Sequence, residues 1–266
     1  MKRILGDLER RLFAFAQMRK LRSLCTGDLV GPLNITGKQE RELFSRLARS
    51  GMIAKVRRGL YLVPDRLPLG GKWSPDEALT LNTLLADRQG RYQICGPNAF
   101  NRYGFDDQIP ARVYAYNSRI SGERTVGAVA LTLIKVSFRR LGDTERVRTA
   151  DGQIMFYSSR IRTLVDAVYD WARFNSLPKA FGWASSDLAA GRVTAEELVR
   201  VTLRYGDTGT VRRMGALLDR EGVSSALLLR LERALGPSSS FIAWNPAGPK
   251  RGKLDRRWGI VWNDRD

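Results

Sequence analysis

Histidine is absent from the 266 residues, and cysteine occurs only at Cys25 and Cys95. The first absence removes the side chain most often used as a general base near neutral pH, with every Ser-His and Cys-His nucleophile pair. The second leaves too few ligands for the usual Cys/His zinc sites, because two distant cysteines lack CxxC spacing. Cys25 and Cys95 therefore read as small apolar core residues in a reducing compartment. An enzyme on this chain would need carboxylates, lysine or a metal held by carboxylates; no catalytic residue, cofactor or metal site is assigned, and the chain is not read as an enzyme. Long apolar runs are also missing. Nothing approaches the roughly 20 residues of a membrane span, and charges interrupt residues 1–20 too often for a secretory signal, which predicts a cytoplasmic protein with no membrane partner.

Positive charge is what the chain has in excess. Lys and Arg number 45 against 27 Asp and Glu, a formal +18 at pH 7, and such self-repulsion points to a polyanionic partner. Residues 1–64 hold fourteen of the basic residues and only five acidic ones, so half of the net charge sits in about a quarter of the chain. With 43% apolar residues the remainder can still bury a core.

Along those first residues the apolar spacing predicts a helix over 5–21 and a short second helix starting at Thr26, with Asp28 in its first turn and Gly31-Pro32 as its stop. A third helix is predicted from the N-cap Thr36, with Glu40 near the capping-box position and Ser50-Gly51 as the stop. On it Leu43, Phe44 and Leu47 point one way, while Lys38, Glu42, Ser45 and Arg49 point the other, flanked by Arg41 and Arg46. Residues 53–56 and 60–63 read as two short strands joined by the basic turn Arg57-Arg58-Gly59. The pattern predicts a winged helix-turn-helix over 1–66. Its DNA-binding residues are expected to be Thr36, Lys38, Gln39, Arg41, Ser45, Arg46 and Arg49 on the third helix, with Lys55, Arg57 and Arg58 on the wing. The segment Gly31 to Lys38 is not a phosphate-binding loop, since its spacing is one residue too long and Gln39 stands where Ser or Thr would hold magnesium.

A Gly- and Pro-rich stretch at 65–71 marks the expected boundary of a second, larger domain over 72–266. There Ser74 is expected to cap a helix through Ala86. Strands are expected at 92–95, 113–116, 128–137, 154–157 and 258–262, and helices at 160–174, 185–203, 208–221 and 224–235. The fold class is therefore α+β.

Several segments resemble the AbiEi antitoxins, transcriptional regulators of the type IV toxin-antitoxin class. They are Arg57-Arg58-Gly59-Leu60-Tyr61-Leu62-Val63-Pro64, the run from Gly96-Pro97-Asn98 through Asn101-Arg102-Tyr103-Gly104-Phe105 to Gln108-Ile109-Pro110, the helical Arg160-Ile161-Arg162-Thr163-Leu164-Val165-Asp166-Ala167, and Val211-Arg212-Arg213-Met214-Gly215-Ala216-Leu217-Leu218. The resemblance implies an N-terminal domain that binds operator DNA and represses its own operon. It also implies a C-terminal domain that counteracts a nucleotidyltransferase-like toxin without needing a stable complex with it.

Other readings stay open beside this one. Asp106, Asp107, Asp151 and Asp166 are candidate metal carboxylates for a nuclease, against the simpler reading as cap and turn residues. Lys250, Arg251, Lys253, Arg256 and Arg257, with Trp244 and Trp258 on either side, could form an RNA-binding surface or a solvated loop before a buried strand. Arg212-Arg213 could belong to a second basic face. A nucleic-acid-acting enzyme or an RNA-binding module tethered to a winged helix is the alternative function.

Overall fold

The computed structural model describes residues 5–67, 72–236 and 240–264. The protein is α+β, and its contacts divide it into two compact units. The first is Met1–Tyr92, Ala111–Leu141 and Arg146–Met155; the second is Gln93–Pro110, Gly142–Glu145 and Phe156–Asp266. This differs from the expected division into 1–66 and 72–266. The strands of 113–135 fall in the same unit as the first 66 residues, and the chain passes between units more than once, which local composition does not reveal. Residues 68–71, in the expected linker, lie outside the described residues.

The first unit begins with α1 (Asp7–Met18), β1 (Ser23–Cys25), α2 (Val30–Leu33), α3 (Gly37–Arg49), β2 (Ala54–Arg57) and β3 (Leu60–Leu62). Leu12, Phe13 and Ala16 of α1 pack with Leu43, Phe44 and Leu47 of α3, and with Leu24, Leu29 and Leu33, in one apolar cluster. The short β1 was not expected; it pairs with β3 and makes an antiparallel sheet of order β1-β3-β2. A helix beginning at Thr26 does not form. The Asp28 carboxylate accepts a hydrogen bond from Cys25 N–H at 2.6 Å, which fixes a turn, and Gly31-Pro32 lie inside α2 instead of ending it. Pro32 is tolerated there because the first turn of a helix leaves its N–H groups unpaired. Cys25 is exposed, not a core residue, and only Cys95 is buried. Burial first, then the Asp28 carboxylate, raises the Cys25 thiol above its ordinary value.

Next come α4 (Glu77–Asp87), β4 (Tyr92–Ile94), α5 (Pro97–Arg102), β5 (Val113–Asn117), β6 (Gly122–Val126), β7 (Val129–Lys135), a 3-10 turn at Phe138–Arg140, β8 (Thr144–Arg148) and β9 (Ile154–Ser158). Asp76, not Ser74, caps α4, accepting from Leu79 N–H at 2.7 Å. Ser74 Oγ is engaged elsewhere, accepting from Ala128 N–H at 2.8 Å. Within the first unit β5 and β7 run parallel, and β6 pairs antiparallel with β7. Within the second, β4 and β9 pair in parallel at Ile94 and Tyr157.

The rest of the second unit holds α6 (Arg160–Tyr169), α7 (Trp171–Phe174), α8 (Lys179–Ala189), α9 (Ala195–Tyr205), α10 (Thr208–Arg220), α11 (Ser225–Ala234), β10 (Ile242–Ala243), β11 (Lys253–Asp255) and β12 (Ile260–Trp262). The helix expected over 185–203 is two helices. Thr194 interrupts it with a capping box, its Oγ1 accepting from Glu197 N–H at 3.2 Å while Glu197 accepts from Thr194 N–H at 2.9 Å. Leu164, Val168, Leu198, Met214, Leu231 and Trp258 are among the residues of one large apolar cluster.

Gly215 on α10 packs against this cluster with no room for a side chain. A Cβ there would lie 2.2 Å from Cζ3 of Trp258, a side chain with no exposed surface whose Nε1 donates to Asp219 at 2.9 Å. Helix propensity alone would favour alanine at this position by about 1 kcal/mol. Overpacking against a fixed indole costs about 1 to 3 kcal/mol or more, so Gly215→Ala is expected to lower the urea midpoint. A raised midpoint would show that Trp258 moves aside without cost.

Candidate nucleic-acid interface

Helix α3 is built to expose one polar face. Thr36 caps it, accepting from Gln39 N–H at 3.2 Å, and the Gln39 side-chain oxygen accepts in return from Thr36 N–H at 2.8 Å. Gln39 is thus the capping-box partner. Glu40, expected near that role, is fully buried and accepts from Gly27 N–H at 2.7 Å and Leu29 N–H at 2.9 Å, tying α3 to the turn before α2. The opposite face carries Lys38, Arg41, Glu42, Ser45, Arg46 and Arg49, which line one shallow depression. All six are exposed.

The hairpin of β2 and β3 follows directly. Phe44 of α3 stacks on Tyr61 of β3 with centroids 4.5 Å apart and planes 16° from parallel, which fixes the hairpin against the helix. Its turn needs Gly59, which sits at φ +81° with Thr26 Oγ1 only 3.3 Å from where a Cβ would stand.

The ten expected contact residues fall into two groups. Lys38, Arg41, Ser45, Arg49, Lys55 and Arg58 are exposed, and among the described residues no carboxylate pairs with their cations. The other four carry structural work. Thr36 and Gln39 form the cap. Arg46 donates through Nε to the buried Glu9 at 3.0 Å and remains about half exposed. Arg57 grips Asp87 at the end of α4 through two nitrogens, Nε lying 2.8 Å from Oδ2, and through Nη1 donates to the Arg58 carbonyl at 2.7 Å. The guanidinium holds the Asp87 carboxyl below the usual carboxylate range, against the smaller opposing effect of burial. The sequence offered no signal for this pair, whose members lie 30 residues apart.

No family model matches the chain, and no curated protein matches it. Among solved structures it is similar to the Rv2827c protein from Mycobacterium tuberculosis, with a TM-score of 0.59 at 15% identity over 97% of this chain and 92% of that one. The likeness is one of fold. Two α+β chains of similar length share their course nearly end to end.

The remaining candidates are placed differently. Among the described residues no three His, Cys, Asp or Glu side chains converge as metal ligands would. Asp166 is paired with Arg162 inside the second unit, Asp151 accepts from Gln153 and Arg22, and Asp106 accepts from Gln108 N–H. Arg212 and Arg213 form no basic face: both are buried, donating to the Ser240 and Ala243 carbonyls at 2.9 and 3.1 Å. Trp244 and Trp258 are also buried, so neither can stack a base, and Arg257 is clamped by Asp219 and Glu232. No helix among the described residues is long and apolar enough to cross a membrane.

Proposed function

We propose that the protein is a cytoplasmic DNA-binding repressor whose N-terminal module is a winged helix that reads operator DNA with α3. The observation that carries this reading is the exposed face of α3, where Lys38, Arg41, Ser45 and Arg49 stand without an apolar residue among them and without a carboxylate pairing the cations. The order α1, β1, α2, α3, β2, β3 with the sheet β1-β3-β2 supports it. A helix of this width fits the major groove, and arginine and lysine there can bond guanine edges. Lys55 and Arg58 on the hairpin then meet phosphates. Taken with the resemblance to AbiEi antitoxins, the reading extends to autoregulation of an operon and to antagonism of a nucleotidyltransferase-like toxin, for which the region 72–266 would be responsible.

The wing gives a sharp test. Arg58 is exposed and unpaired, whereas Arg57 is consumed by Asp87. In gel shifts on the protein's own promoter, Arg58→Ala is expected to weaken binding on all sequences and to reduce the slope of log K against log salt by about 1. Arg57→Ala is expected to leave that slope unchanged and to lower thermal stability instead. Arg41→Ala or Arg49→Ala should cost about 1 to 3 kcal/mol and relax preference at single base pairs. Wild-type affinity in a variant lacking Lys38, Arg41 and Arg49 would overturn the reading.

A further inference from the structure

A second basic cluster lies in the first unit, built from segments other than α3 and the β2–β3 hairpin. Three segments are laced together there: the turn 88–91 after α4, the turn 117–121 after β5, and 135–140 at the end of β7. Ser118 N–H donates to the Arg91 carbonyl at 3.1 Å, and Arg91 N–H donates to Ser118 Oγ at 3.1 Å. Val136 N–H donates to the Asn117 carbonyl at 2.8 Å. Arg119 lies across Gly90, where a Cβ would come within 2.7 Å of its Cγ, and donates twice to the Gln89 carbonyl at 3.1 and 3.2 Å.

These fifteen residues contain Arg88, Arg91, Arg119, Lys135, Arg139 and Arg140, six cations, and no carboxylate. Arg88 reaches the neighbouring Asp87 at 3.4 Å. Arg88, Arg91, Arg119, Lys135 and Arg139 are exposed. Among them stands Phe138, 59% exposed, with the Arg91 guanidinium 5.0 Å from its ring centroid. Burial does not account for an aromatic ring at such a site. Because β5 and β7 are parallel, their carboxyl ends share this edge, the side of a parallel sheet where ligands commonly bind.

We propose that this edge binds single-stranded nucleic acid, with Phe138 as the stacking platform for a base and Arg91, Arg119, Lys135 and Arg139 following the phosphates. A duplex keeps its bases stacked inward and offers nothing to an exposed phenyl ring, whereas an unpaired strand presents base faces to aromatic and arginine side chains. The charge excess supplies the sequence-independent part of the affinity.

The test uses the full chain with labelled fifteen-nucleotide oligo-dT and oligo-U strands and a blunt duplex of equal length, followed by fluorescence anisotropy. Phe138→Ala is expected to weaken binding of the single strands about ten- to a hundredfold and to leave duplex binding unchanged, with Phe138→Trp restoring it. Lys135→Ala with Arg139→Ala should lower the salt slope on single strands by about 0.7 per cation removed. Comparing oligo-U with oligo-dT tells whether the natural strand is RNA or DNA. Equal affinity of Phe138→Ala and wild type for single strands overturns the proposal, as does an equal loss on duplex, or no single-strand binding by wild type at low salt. Failure here leaves the α3 reading standing, because that reading is judged on duplex DNA with α3 variants.

Discussion

Asp166→Ala is expected to destabilise the protein by about 3 to 5 kcal/mol, the cost of leaving a buried charge without its partner. Arg162 and Asp166 sit one turn apart on α6 with 0% and 1% of their side chains exposed, Nε to Oδ2 at 2.9 Å. The guanidinium is covered by the Tyr205 ring, 3.7 Å from its centroid, and also faces the Gly142 carbonyl at 3.5 Å. Ser158 Oγ reaches the same Asp166 oxygen at 3.5 Å and accepts from Gln93 at 2.8 Å, while Gln93 in turn accepts from Gly142 N–H at 2.8 Å. Removing the carboxylate takes the ion-pair partner from a fully buried arginine. Removing both charges does not, so Arg162→Met with Asp166→Leu is expected to recover most of the loss. Urea unfolding of the two single variants and the double variant closes the cycle. A loss below about 1 kcal/mol in Asp166→Ala, the range of surface pairs, would mean that Arg162 swings out to solvent.

Asp166 also shows what the sequence could and could not disclose. The start of α6 at Arg160 was legible, but the single helix expected over 160–174 is two, α6 ending at Tyr169 and α7 beginning at Trp171. That the carboxylate belonged to an intrahelical pair, and not to a metal site, depended on burial on every side, which residue spacing does not express. Where periodicity was strong, as on α3 with Leu43, Phe44 and Leu47, the element and its inward face agree with the structure. Where local side-chain chemistry chose among neighbouring residues, expectation and structure part. Asp76 took the cap from Ser74, Gln39 took the box from Glu40, and Thr194 broke a helix that its apolar pattern would have carried through. Short strands such as β1, β6, β8, β10 and β11 were invisible, because three to five residues, or fewer, paired at a distance leave little alternation to read.

The same limit applies to the proposed interface. Exposure of Lys38, Arg41, Ser45 and Arg49 follows from helical geometry and could be seen in advance. The engagement of Arg57 by Asp87 and of Arg46 by Glu9 could not, since each joins separate elements. Charge counts over a window weigh every arginine alike, whereas one already paired with a carboxylate has less charge to offer a phosphate. The basic cluster around Phe138 escaped for a related reason: its cations are spread over more than fifty residues of sequence and meet only where β5 and β7 end.

Glu40→Ala is expected to cost about 2 to 4 kcal/mol, because two charge-assisted hydrogen bonds to backbone donors vanish together. Leu29 is buried, so its N–H has no water to replace the lost Oε1, whereas Gly27 is exposed and can be hydrated. Glu40→Gln should recover only part of the loss, since an amide has one acceptor oxygen for two donors and turns its own N–H groups toward the other. The consequence for the proposed function follows from position: this carboxylate ties α3 to the turn before α2, and loosening it weakens the support of the polar face of α3. Duplex affinity is therefore expected to fall in Glu40→Ala even at temperatures where circular dichroism shows the chain folded, although Glu40 itself is too buried to touch DNA. Wild-type affinity in a variant with a clearly lowered urea midpoint would mean that α3 keeps its place without the tie, and that its support comes from the apolar cluster alone.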